Sequence, residues 1–238
     1  MASISVREWG SIGTEQVMRI DLSQPNGMSV SCINYGARLI RLLVPDREGQ
    51  SENVVLGLSD AEAYGNDQAS FGATVGPVAG RIAEGKWGAV QLEQNNSAHH
   101  IHGGSRGWGQ QFWGFTTEET AEAVSVTFSL ESTPETVGYP GRLQAKVGYS
   151  LDAEGGLTIT MTGACSEETL FNPTSHIYFT FVFSLISGLS FNVRETVEVA
   201  TPASLATSFI VTVIGSFLRV HFCILRLPCK VVILNPCR

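Results

Sequence analysis

The stretch LQAKVGYSLDAEGGLTITMT, Leu143 to Thr162, decides the fold class. Leu143, Ala145, Val147, Tyr149 and Leu151 occupy every second position, and Leu157, Ile159 and Met161 resume that period after a turn at Asp152 to Gly156. A period of two puts these side chains on one face of a pleated strand, whereas a 3.6-residue helix would scatter them. The two runs therefore read as strands with one face on a core.

The same grammar extends outward. Ala123 to Leu130 (AVSVTFSL) alternates, and Val17 to Leu22 (VMRIDL) and Met28 to Ile33 (MSVSCI) flank Gln24-Pro25-Asn26-Gly27, whose Pro and Gly suit a tight hairpin turn. Arg38 to Val44 (RLIRLLV) ends at Pro45-Asp46, and Asn53 to Leu56 reads as a further buried run. One helix start is convincing: in Ser59-Asp60-Ala61-Glu62, Ser59 and Glu62 are placed to satisfy each other's backbone amides before a stop near Gly65. Together with 25 glycines and 9 prolines in 238 residues, these signals predict an all-β protein, a large antiparallel β-sandwich.

Charge narrows the function. A net charge of −7 argues against a nucleic-acid partner, which calls for a basic face toward phosphates. The opening MASISVREWGSIG lacks the basic, apolar and small-residue series of a secretory leader, so the cytoplasm is the default location. The five cysteines, Cys32, Cys165, Cys223, Cys229 and Cys237, contain no CxxC pair, which points to packed or free thiols rather than a zinc site or disulfides. Residues 1–181 hold 10 Lys and Arg against 20 Asp and Glu, while residues 182–238 hold 5 against 2. This break divides the chain into a sandwich domain, 1–181, and an atypical hydrophobic, basic tail, 182–238. Ala200 to Leu218 carries no charge and superficially resembles a membrane anchor, but Pro202 and six Ser or Thr residues weaken that reading in favour of buried strand.

Four constellations carry possible chemistry. In Ser97-Ala98-His99-His100-Ile101-His102-Gly103-Gly104, His100 and His102 would share a face if the segment were a strand, as a metal requires; no third ligand lies nearby, and the paired glycines fit a sharp turn that aims one imidazole into a cavity. Gly72 to Ile82 (GATVGPVAGRI) is glycine-rich but has neither phosphate-loop spacing. Its Arg81 is suited either to donating several fixed hydrogen bonds to hydroxyls or to a surface ion pair. Val137 to Gly141 (VGYPG) reads as a turn with an aromatic lid. In FNPTSHIYFTF, Phe171 to Phe181, His176 stands between Thr174, Ser175 and Tyr178, groups that can orient an imidazole as a general acid needs.

In their order, NYGARLIRLLVPDREG (34–49), NVVLG (53–57), Tyr64, FGATVGPVAGRIAEGKW (71–87), HIHGG (100–104), Trp113, GYPG and PTSHIYF make the chain similar to the aldose 1-epimerase, or galactose mutarotase, family as far as about residue 181. The resemblance implies a mutarotase-type sandwich, a free hexose such as glucose or galactose as the small-molecule partner, no cofactor and no metal. It also implies interconversion of α and β anomers by acid–base ring opening. By resemblance His176 corresponds to the acid, His102 to the imidazole that hydrogen-bonds the sugar near its ring oxygen, and Arg81 to a hydroxyl-binding cation, with Gly80 and Tyr178 beside them in the substrate site. The chain departs from the family pattern at Gly80, Ser175 and Thr180, each where Asn is common, and is a few residues short between Trp87 and Leu92.

Family members continue through a substrate-binding aspartate to a glutamate that acts as the base, and residues 182–238 show no counterpart of either. That segment reads as unrelated sequence, so the sandwich is expected to be incomplete at its C-terminal end, with uncovered strand edges. Loss of one acid–base partner would cost on the order of 10²–10⁴ in rate. Two alternatives accompany this reading: a sugar-binding protein without turnover, and a hexose-6-phosphate epimerase relative. The segment Gly103-Gly104 followed by Gly107-Trp108 is closer to the free-sugar branch than to the phosphate one.

Overall fold

The computed structural model describes residues 1–46 and 48–180 and, beyond them, strands at 209–212, 219–224 and 231–232. The N-terminal part is an antiparallel meander of β1 (Ser3–Ile12), β2 (Glu15–Ser23), β3 (Ser29–Ile33), β4 (Arg38–Pro45) and β5 (Ser51–Asn53), which are neighbours in that order. The chain then runs through a short helix α1 (Ala61–Gly65), β6 (Thr74–Val75), β7 (Lys86–Trp87) and β8 (Val90–Gln91). A second sheet follows, built from β9 (Gly114–Glu119), β10 (Ala123–Ser132), β11 (Leu143–Asp152) and β12 (Gly156–Cys165), with the one-turn helix α2 (Pro134–Val137) between β10 and β11. The two-residue strands β13 (Thr169–Leu170) and β14 (Thr174–Ser175) come next. The last strands are β15 (Phe209–Thr212), β16 (Arg219–Ile224) and β17 (Val231–Val232).

The predicted period is what is observed in the strands that decided the fold. In β11 the residues from Leu143 to Leu151 that share its parity are all buried, and those between them are exposed or half-buried. Cross-strand partners Phe128 and Val147, Val147 and Met161, and Tyr149 and Ile159 stack on the same inward face. They share one buried cluster with Ile20, Leu22, Val30 and Leu42 of the first sheet, which makes the two sheets a sandwich. Each such side chain, fully buried, contributes about 1.5–3 kcal/mol. Polar ties also cross the core: the Tyr149 hydroxyl donates to the Ala37 carbonyl at 2.9 Å, and Gln24 Nε2 donates to the Leu151 carbonyl at 2.8 Å.

Several local expectations are corrected. Asp60 rather than Ser59 caps α1, its carboxylate accepting from the Ala63 amide at 2.9 Å while Ser59 donates to Asp60. The carboxylate is the stronger acceptor for an exposed helix terminus. The segment 53–56 does not form a buried strand: β5 ends at Asn53, and Val55 makes an isolated bridge to Phe179. Tyr139 of VGYPG is no lid but lies 1% exposed in the core, edge-on to His100. Cys32 is a buried thiol as expected, whereas Cys165 is disulfide-bonded, contrary to the reading of all five as thiols.

Strands from beyond residue 181 cover one edge of the second sheet: β12 pairs in parallel with β16 from Gly156 opposite Arg219 to Met161 opposite Ile224, and β15 adds antiparallel to β16. The proposed division at residue 181, and most of the uncharged stretch 200–218, lie outside the described residues. Among the described residues no helix is long and apolar enough to cross a membrane.

Candidate active site

His176 is held by its backbone on both sides. Strand β14 pairs with β6, and directly after it the His176 amide donates to the Ala73 carbonyl at 2.7 Å while the Gly72 amide donates to the His176 carbonyl at 3.0 Å. Gly72 makes this possible because its φ is +63° and a Cβ there would lie 1.9 Å from the Leu39 carbonyl oxygen. No other residue fits.

His102 reaches the same place from a different loop. Residues 102 to 104 have φ of 56°, 82° and 88° in succession, so the chain does not form the strand that would align His100 with His102. The turn presses Gly103 onto residue 76, where a Cβ would stand 1.8 Å from the Gly76 carbonyl oxygen. Trp108 locks the far side, its backbone amide donating to the Gly76 carbonyl and its indole N–H donating to Ser132 Oγ at 2.6 Å. The outcome is an edge-to-face pair: the rings of His102 and His176 lie 5.1 Å apart, centre to centre, at 70°. The ring of Tyr178 lies 5.1 Å beyond His176, and Phe71 lies 5.0 Å beyond Tyr178.

Three histidines within four residues thus serve three neighbours. His99 Nδ1 accepts from the Glu84 amide at 3.3 Å, His100 is buried with Nδ1 at 2.7 Å from the Glu93 carbonyl, and His102 faces His176. Among the described residues no three His, Cys, Asp or Glu are grouped so as to hold an ion.

Both imidazoles are biased toward neutrality. Burial, then the proximity of His176, then the charge of Arg81 bring His102 down to about 4. Burial also lowers His176, the Asp67 carboxylate opposes the shift, and Arg38 reinforces it. Each ring therefore offers a lone pair and an N–H at pH 7, the equipment to accept and to donate a hydrogen bond at a polar ligand. Arg81 is exposed, with Nε donating to Asn96 Oδ1 at 3.0 Å, so one edge of its fork is fixed. Gly80 is exposed, and a Cβ there would meet nothing within 4 Å. The Tyr178 hydroxyl donates to the Ala69 carbonyl at 2.9 Å.

Residues not singled out in the sequence support this cluster. Arg38, fully buried, pairs with Asp67 at 2.5 Å, and Asp67 organises the loop that reaches Gly72 and Ala73. A charged residue at the head of the apolar run RLIRLLV was the available signal, because a buried cation requires a buried partner. Phe71 and Asn96 carried no such mark.

The sequence model of the family described as aldose 1-epimerase matches residues 18–218, passing beyond residue 181 where the recognisable motifs stop. The aldose 1-epimerase of Streptococcus thermophilus is 32% identical over 181 residues, covering 74% of this chain and 52% of that protein. Human galactose mutarotase is 35% identical over 187 residues, covering 75% and 52%. The crystal structure of galactose 1-epimerase from Lactobacillus acidophilus superposes with a TM-score of 0.68 at 31% identity, over 75% of this chain and 53% of that one. The chain spans about half the length of the curated relatives it matches. A family match across most of the chain, joined to a shared sandwich at this level of identity, establishes that the chain belongs to the aldose 1-epimerase family.

Proposed function

We propose that this chain binds a free hexose at the His102–His176 cluster and works as an aldose 1-epimerase, with His176 donating a proton to the ring oxygen. The observation that carries the reading is the convergence of His102 and His176, 74 positions apart in sequence, into one ring pair. Opening a cyclic hemiacetal breaks the bond between the anomeric carbon and the ring oxygen. The ring oxygen takes a proton while the anomeric hydroxyl gives one up, leaving an open-chain aldehyde that recloses on either face. His176 takes the first role. His102, neutral at pH 7, hydrogen-bonds the sugar beside the ring oxygen, and Arg81, Gly80 and Tyr178 border the hydroxyls.

The second role needs a base. Among the described residues the carboxylate that bears on His176 is Asp67, which is buried and already engaged by Arg38, so it does not serve. This favours one second reading, a hexose-binding protein without turnover. The reading that the family's C-terminal glutamate and substrate-binding aspartate have no counterpart in 182–238 concerns a segment that lies mostly outside the described residues.

Polarimetry on freshly dissolved α-galactose and α-glucose tests both readings. An epimerase accelerates the decay above the buffer rate, and His176→Gln lowers kcat on the order of 10²-fold or more. A buffer rate with saturable hexose binding supports the non-catalytic reading, and a buffer rate without binding ends both. Galactose 6-phosphate preferred to galactose would favour the phosphate-sugar relative.

A further inference from the structure

We propose that the buried Arg38–Asp67 pair is a positioning element for His176, fixing the loop from Asp67 to Ala73 that carries both of its backbone contacts; this rests on His176 being the acid of the proposed reaction. The pair is enclosed, with the Arg38 side chain 0% and the Asp67 side chain 2% exposed. Arg38 Nη1 donates to Asp67 Oδ2 at 2.5 Å and to the Phe71 carbonyl at 3.1 Å, and Nη2 donates to the Gly109 carbonyl at 3.0 Å. The rings of Tyr35 and Tyr64 lie 5.3 and 5.4 Å from the guanidinium carbon. On the other side the Asp67 carboxylate accepts from the amides of Ala69 and Phe71, both at 2.8 Å, which winds the loop around it.

Each consequence of that winding lands on the site. The Ala69 carbonyl takes the Tyr178 hydroxyl, the Phe71 ring backs Tyr178, the Gly72 amide holds the His176 carbonyl, and the Ala73 carbonyl holds the His176 amide. A buried ion pair is a poor way to gain stability alone, because apolar residues of similar volume often do as well or better. What apolar residues could not supply is a fixed set of donors and acceptors for this loop, or a charge felt at the imidazole. Asp67 favours protonation of His176 and Arg38 opposes it; among the described residues His102 and Tyr178 also face the ring, and Arg81 acts on His102.

The test reads His176 directly, in the full chain labelled with ¹⁵N-histidine, alongside polarimetric kcat and KM for galactose. Asp67→Asn removes the anion and leaves Arg38, so the His176 titration midpoint moves to lower pH and kcat falls on the order of 10²-fold with KM little changed, as expected for misplaced reacting groups. Arg38→Lys keeps both charges but loses the fork. Its His176 midpoint stays near that of the wild type while kcat falls about tenfold. An unchanged midpoint and kcat in Asp67→Asn overturns the proposal, as does wild-type kcat and KM in Arg38→Lys. The midpoint is measurable without turnover, so a chain that fails to epimerise sugar yet shows the Asp67→Asn shift refutes the proposed activity, and with it the catalytic purpose of the positioning, while the coupling of the pair to the His176 ring stands.

Discussion

Acidification should draw on the fold at His102 more than at an ordinary surface histidine. Its ordinary value of 6.5 falls to about 4 in the folded protein. The unfolded chain therefore takes up this proton first as pH drops. The stability that His102 contributes by staying neutral is complete above pH 6.5 and is lost as pH falls from 6.5 toward 4. At about 1.4 kcal/mol per pH unit, a difference of this size corresponds to roughly 3 kcal/mol, and the partial exposure of the ring reduces it to about 2 kcal/mol. The perturbation is His102→Gln, which keeps a polar side chain in the left-handed conformation but cannot titrate. Urea unfolding of both proteins at pH 7 and pH 4 gives the comparison: the wild type should lose about 2 kcal/mol more than the variant over that interval. Parallel losses would show that the ring is not held neutral by the packing described here.

Other expected outcomes follow from single contacts. Gly103→Ala places a Cβ 1.8 Å from the Gly76 carbonyl oxygen at a φ of +82°, and should cost about 3 kcal/mol or more in chemical denaturation, whereas Gly80→Ala, with nothing within 4 Å, should stay within about 0.5 kcal/mol. Trp108→Phe leaves the buried Ser132 hydroxyl without its 2.6 Å donor and should cost about 2 kcal/mol by the same measurement. Arg81→Ala should leave stability within about 0.5 kcal/mol, since the side chain is exposed, yet raise the NMR titration midpoint of His102 by removing a nearby positive charge.

The sandwich was legible because its strands obey one rule over long runs. Leu143 to Leu151 and Leu157 to Met161 alternate without a break, and a one-residue slip would turn every one of those side chains to solvent. Strands without that signature escaped: β1, which is exposed or half-buried throughout, and β9, with Glu118 and Glu119 at its end. Ser59 and Asp60 both suit the cap of α1, and only the folded geometry selects Asp60. At the site, His102, His176, Arg81 and Tyr178 stood out as reactive types among glycines and hydroxyls. Asp67 did not, because NDQAS looks like any polar turn and its partner lies 29 residues earlier. The divergence of His99, His100 and His102 was likewise hidden, since it depends on three consecutive positive φ values rather than on spacing.

The most direct measurement is a galactose titration of the ¹⁵N-histidine-labelled chain at pH 7. Saturable, parallel shifts of the His102 and His176 resonances, with buried His100 unmoved, are the predicted result. Saturation that shifts neither ring, or that shifts only one of them, would contradict a sugar site built on their pairing.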